Sequence, residues 1–145
     1  MKNFTTSFSV SQSPQTVFDA VNNVPAWWGP FEGSSKKIGD EFIYRHGEMH
    51  YSKHRVTEMV PGEKVAWQTI DSRLNFVKQK DEWDGTRIIF EISENDGLTT
   101  LTFTQEGLTP ALECYGGCSG AWGFYVGESL RDLVVTGAGR PDKGI

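Results

Sequence analysis

Nowhere in the chain do apolar residues run unbroken for anything near the roughly 18 that a membrane-spanning helix requires. Basic residues never cluster beyond the pair Lys36-Lys37, and 14 Lys and Arg stand against 19 Asp and Glu, a formal charge of −5. Nucleic acid and anionic membrane surfaces are therefore not expected as partners. The opening MKNFTTSFSV alternates apolar and polar residues and lacks the continuous apolar core of a secretory leader. Cysteine is scarce: Cys114 and Cys118 are the two in the chain. Four apart on a predicted helix, their side chains run roughly parallel and are poorly placed to bridge, so reduced thiols and a cytoplasmic location are expected. Internal repeats and low-complexity tracts are missing as well. A chain of 145 residues then reads as one domain, 1–145, burying roughly two-thirds of its unfolded surface. Residues 138–145 are expected as a flexible tail.

What is present is organised around residues 113–136, ECYGGCSGAWGFYVGESLRDLVVT. A helix of that length spans about 36 Å at about 1.5 Å per residue. Thr109 is suited to cap it and Pro110 to its first position, while Gly137 suits the closing left-handed turn. Steps of about 100° place Tyr115, Ser119, Trp122, Val126, Leu130 and Leu133 on one stripe. Gly116, Gly120, Gly123 and Gly127 form one flank of it, and Cys114, Cys118, Tyr125 and Ser129 the other. Each glycine costs about 0.5–1 kcal/mol relative to alanine. Close packing on a sheet is the expectation for the glycine flank, and a ligand for the side of Cys118, Trp122 and Tyr125.

Upstream, residues 4–10 alternate as a half-buried strand. Ser13-Pro14 opens a short helix with Val17, Phe18, Val21 and Val24 as its apolar face. Trp27 and Trp28 lie between Pro25 and Pro30, where a plug for the end of the core is favoured over binding. Strands are read at 41–45, 50–60, 64–70, 87–93 and 98–105, with Asn95-Asp96-Gly97 as a hairpin turn. Residues 72–84 read either as a further strand or as a flap. Strands joined by short turns and followed by one long helix give an α+β fold, a curved antiparallel sheet gripping the helix.

Ser13-Pro14-Gln15-Thr16-Val17-Phe18-Asp19-Ala20, Trp27-Trp28-Gly29-Pro30, the run Val56 to Val65 and Gly120-Ala121-Trp122-Gly123-Phe124-Tyr125 carry a likeness to known proteins. In that order along the chain they resemble the START-like, pollen-allergen-like (SRPBCC) superfamily, in the branch of the heat-shock-protein-90 ATPase activator homologues. The resemblance implies a helix-grip fold with an internal cavity and no metal or organic cofactor. It does not fix a function, since the superfamily holds carriers, cyclases, hydrolases and co-chaperone domains.

Several groups invite chemistry. Zinc needs four converging N/S ligands at about 2.0–2.3 Å, and His46, His50, His54, Cys114 and Cys118 are the available set. A two-residue loop after His46 would put His46 and His50 on opposite faces, whereas a three-residue loop would put all three histidines on one. Glu48, His50, His54, Glu58 and Glu106 are expected mainly as solvated charge, and Cys118 as a buried, inert thiol. The aromatic residues fit either a filled core or a pocket for an apolar molecule, and the resemblance favours the pocket. The site expected is Trp28, Phe42, Tyr44, Trp67, Phe90, Phe103, Cys118, Trp122 and Tyr125, taking a small hydrophobic or amphipathic ligand. The alternatives are a cavity enzyme and a module docking on a chaperone or another protein, with Phe124 and Trp83 as exposed anchors.

Overall fold

Alternation from Phe4 to Val10 produces the first strand of a seven-stranded antiparallel sheet, seen in a computed structural model that describes residues 2–142. The strands are β1 (Phe4–Val10), β2 (Phe31–Gly33), β3 (Glu41–His46), β4 (His50–Val60), β5 (Lys64–Leu74), β6 (Arg87–Asn95) and β7 (Leu98–Glu106), in spatial order β1-β7-β6-β5-β4-β3-β2. Asp96 and Gly97 take the positive φ that the β6–β7 hairpin requires. The short β2 was not anticipated; three residues show too little alternation to announce a strand. Helix α1 (Pro14–Asn22) starts where expected, with the Thr16 N–H donating to Ser13 Oγ at 3.2 Å, and α2 (Val24–Trp27) comes directly after it.

Two register shifts between β4 and β5, at Lys53/His54 and Val56/Glu58, bend the sheet. The first leaves Ile70 unpaired, so that Thr69 and Ser72 both face inward and are buried. The β3–β4 loop has three residues, Gly47-Glu48-Met49, with His46 opposite His50. His46, His50 and His54 therefore share the inner face.

The long helix, α3, occupies 115–136. It comprises Tyr115–Phe124, a wider π-helical stretch Tyr125–Leu130, and Arg131–Thr136, and closes on Gly137 in the left-handed conformation. Its start differs from expectation. Thr109 and Pro110 belong to a turn, and the N–H groups of Glu113 and Cys114 are capped from outside by the Glu82 carboxylate, both at 3.0 Å. Its buried row also differs: Cys114, Cys118, Trp122, Val126, Leu130 and Val134, spaced strictly by four. On a regular helix such a row drifts by about 40° per step; the π-helical stretch takes up part of the drift and holds the row towards the sheet.

The glycine flank corrects the sequence expectation outright. A Cβ on Gly116, Gly120, Gly123 or Gly127 would meet no atom within 4 Å, because this flank faces away from the sheet. Close backbone approach occurs elsewhere: a Cβ on Gly29 would lie 2.9 Å from the Tyr44 ring, and one on Gly139 would run into the Ala26 carbonyl. Gly139 belongs to the stretch that was expected as a tail. Over 138–142 that stretch lies on the domain: the Arg140 N–H donates to Ser129 Oγ (2.7 Å), and the Asp142 N–H to the Trp28 carbonyl (2.8 Å). Its remaining residues lie outside the described ones.

Candidate functional site

The two halves of α3 meet different partners. From Tyr125 onward it packs on α1, α2 and β1, while Tyr115–Phe124 makes no comparable backbone approach to any strand. In the gap lies a cavity of about 350 Å³. Three elements wall it. The sheet and its β3–β4 turn supply Tyr44, His46, Met49 and His50; α3 supplies Gly117, Cys118, Ala121, Trp122 and Tyr125; residues 75–86 supply Phe76 and Trp83, and Trp28 closes the inner end. Phe76 and Met49 are 42% and 48% exposed and form an apolar lip at the opening.

Of residues 72–84, left open between strand and flap, 72–74 complete β5 and the rest belongs to a turn-rich flap, residues 75–86. It is fastened at both ends. The Asn75 N–H donates to the Met49 carbonyl (2.9 Å), Ser72 Oγ donates to Asp84 (2.6 Å), and Glu82 caps α3. Trp83, expected as an exposed anchor, is instead buried, its indole stacked on Trp122 with ring centroids 5.7 Å apart. Trp122 is held in turn by its Nε1–H, which donates to Gln105 Oε1 at 2.7 Å; Gln105 Nε2 donates to Thr86 Oγ1 at 3.0 Å. Gln105 and Thr86 are buried, so this polar pair fixes the indole plane from behind.

Of the nine residues expected at the site, Trp28, Tyr44, Cys118, Trp122 and Tyr125 line the cavity. Phe42, Trp67, Phe90 and Phe103 do not; they pack edge-on beneath it, Trp67–Phe90 at 5.1 Å and Phe90–Phe103 at 5.2 Å. Trp27 and Trp28 divide the expected role between them. Trp27 is a plug, its indole N–H donating to the Val21 carbonyl at 3.1 Å, while Trp28 stacks on Tyr44 at 4.0 Å and faces the cavity. His46, Met49, His50, Phe76 and Trp83 were not in the expected set. The histidine half of that omission was legible in the loop-length alternative; the flap gave no periodic signal.

The histidines are not solvated charge. His54 is fully buried, with Nε2 2.8 Å from Ser52 Oγ and Nδ1 3.0 Å from Thr69 Oγ1. His50 Nε2 is 2.8 Å from the same Ser52 Oγ. Burial, and to a smaller extent the charge of a neighbouring histidine, pushes both imidazoles down to about 3, so both are neutral at physiological pH. Glu58, by contrast, is an outer-face carboxylate paired with Lys64 (3.1 Å) and Arg87 (2.8 Å), and Glu106 joins Arg87 at 3.3 Å.

At the opposite corner the Asp142 carboxylate accepts from Tyr44 OH at 2.8 Å and lies 2.7 Å from His46 Nδ1. Burial first, and then this bond, hold the Tyr44 hydroxyl well above its ordinary value. Cys118 lies below the ordinary thiol range because the Cys114 thiol hydrogen-bonds to it, and Cys114 lies correspondingly above. Among the described residues no three His, Cys, Asp or Glu side chains are grouped to hold a metal, and no helix is long and apolar enough to cross a membrane.

Solved structures share this architecture. The Aha1 dimer from Colwellia psychrerythraea superposes with a TM-score of 0.76 at 22% identity, covering 96% of this chain and all of that one. MLL2253 from Mesorhizobium loti gives 0.69 at 16% identity over 91% of this chain and 96% of that one. DynU16, from the dynemicin biosynthetic locus, gives 0.68 at 16% identity over 93% of this chain and 48% of that one. At these identities the likeness is one of fold. No curated protein matches the chain. Residues 12–134 match the sequence model of one family, and on that match the chain belongs to the family described as Activator of Hsp90 ATPase homolog 1-like protein.

Proposed function

We propose that the protein binds a small hydrophobic or amphipathic molecule in the cavity between the first half of α3, the β3–β4 hairpin and the flap. One observation carries this reading: about 350 Å³ of space walled by Trp28, Tyr44, Trp83, Trp122 and Tyr125, in a domain whose helix and sheet otherwise touch. Small-molecule sites have this character, a mostly apolar cleft of a few hundred Å³ with few polar groups. Burial at about 25 cal/mol per Å² drives entry, and Tyr44, Tyr125 and Cys118 orient the guest. The reduced, buried Cys114 and Cys118 support a cytoplasmic setting.

Docking on a chaperone is the reading that the family description suggests. The two anchors proposed for it are not available as such. Trp83 is buried, and the ring of Phe124 lies under the Arg140 guanidinium at 5.1 Å. Native mass spectrometry of freshly purified protein, followed by thermal-shift screening of lipids and aromatic compounds, tests the ligand reading. A co-purifying adduct or a Tm rise with an apolar compound is expected; an unliganded mass together with no shift across the panel would overturn it.

A further inference from the structure

The polar wall of the cavity ends in a closed hydrogen-bonded chain: Thr69 Oγ1, His54 Nδ1 and Nε2, Ser52 Oγ, His50 Nε2. Proton counting determines its polarity. Two neutral imidazoles and two hydroxyls bring four protons to three hydrogen bonds, so one proton is left over. It rests in one of three places. On Thr69 or on Ser52 it would be an O–H sealed in the core, since both residues are 0% exposed and neither hydroxyl has a partner outside the chain among the described residues. A buried, unmatched O–H is costly. The third place is His50 Nδ1. That atom has no hydrogen bond among the described residues, yet it is not among the sealed unpartnered atoms, and His50 lines the cavity. A proton there faces open space.

Resting on the ligand-binding reading, we infer that His50 presents an Nδ1–H donor to the cavity and that the site selects an aromatic molecule carrying a hydrogen-bond acceptor oxygen, such as a ketone. Thr69 sets the direction: its hydroxyl donates to His54 Nδ1, His54 Nε2–H donates to Ser52, and Ser52 O–H donates to His50 Nε2. The surrounding rings stand edge-on to the imidazole, Trp83 at 4.8 Å and Tyr44 at 5.2 Å between centroids, and so fix its plane. A donor held rigid in an apolar cleft discriminates strongly against a guest that leaves it unmatched.

Two measurements test this. Long-range 15N–1H spectra of the labelled protein at pH 7 report each imidazole's tautomer. His50 protonated on Nδ1 with His54 protonated on Nε2 is expected; His50 protonated on Nε2, or doubly protonated, would overturn the inference. The second compares 2-acetylnaphthalene with its hydrocarbon counterpart 2-isopropenylnaphthalene, in which CH2 replaces the carbonyl oxygen, by tryptophan fluorescence titration. The ketone is expected to bind at least fivefold tighter, and His50→Phe is expected to bring the two within twofold. Equal binding by the native protein would overturn the role of His50 while leaving the cavity reading intact. Failure of both probes to bind would overturn this inference, while the cavity reading stands or falls separately on the native mass and the thermal-shift panel.

Discussion

The two halves of α3 lie over the same sheet yet meet it differently. From Tyr125 onward the helix packs on α1, α2 and β1 with Val126 and Leu130 fully buried. Trp27 meets Phe90 edge to face there, at the margin of an aromatic layer that continues through Trp67 and Phe103 beneath the cavity. Before Tyr125, the helix stands off and aromatic rings line a space. The difference comes from what lies between the layers. At the filled end α2 and its Trp27 wedge into the core; at the hollow end the helix start rests on Glu82 of the flap, which is itself tied to β5 by Ser72 and Asp84. Filled contact makes stability, and a propped gap makes room for a guest.

Substitutions should separate the two ends. Phe90→Ala at the filled end is expected to cost about 3–5 kcal/mol in urea unfolding. At the lip, Phe76→Ala should cost less than about 1 kcal/mol while weakening any cavity ligand several-fold. Equal losses of stability would erase the distinction.

Acid should attack the hollow end. His54 has a folded pKa depressed to about 3, against an ordinary value near 6.5, so the unfolded chain binds the proton more readily. The stability this histidine contributes is complete above about pH 6.5 and is lost as pH falls towards 3, at up to about 1.4 kcal/mol per pH unit. His50 adds in the same direction, by less because it borders the cavity. Tm measured from pH 7 to 4.5 should fall steadily, and His54→Gln should flatten the fall.

The latch at Asp142 should act next in size. Asp142→Ala removes the acceptor of Tyr44 OH and the partner of His46, with an expected cost of about 1–3 kcal/mol read from the urea midpoint. The smallest effect runs the other way. Gly116→Ala and Gly120→Ala enter open space and should each stabilise by about 0.5–1 kcal/mol. Destabilisation there would mean that the outward flank is in contact after all.

Strand periodicity, the Asn95-Asp96-Gly97 turn and the closing Gly137 made most of the fold legible in the sequence, because each is a local signal. Tyr44, Cys118, Trp122 and Tyr125 could be placed at the cavity for the same reason: alternation and helical spacing say which way they face, whereas Trp28, in the turn between Pro25 and Pro30, had no such period. Phe42, Trp67, Phe90 and Phe103 face the same way, and only the depth at which the helix stops tells lining from core. Trp83 was misread because residues 75–86 have no period from which to infer direction. The glycine flank was misread because spacing identifies a face of a helix without saying whether that face looks in or out. The π-helical stretch, which turns the buried row by its extra residue per turn, has no sequence signature at all.

The five tryptophans allow the division into a filled and a hollow end to be read directly, from their indole N–H signals in a 15N–1H spectrum titrated with 2-acetylnaphthalene. Trp28, Trp83 and Trp122 are predicted to shift saturably while Trp27 and Trp67 stay in place. Shifts at Trp27 and Trp67, or none at the three that wall the cavity, would contradict that division.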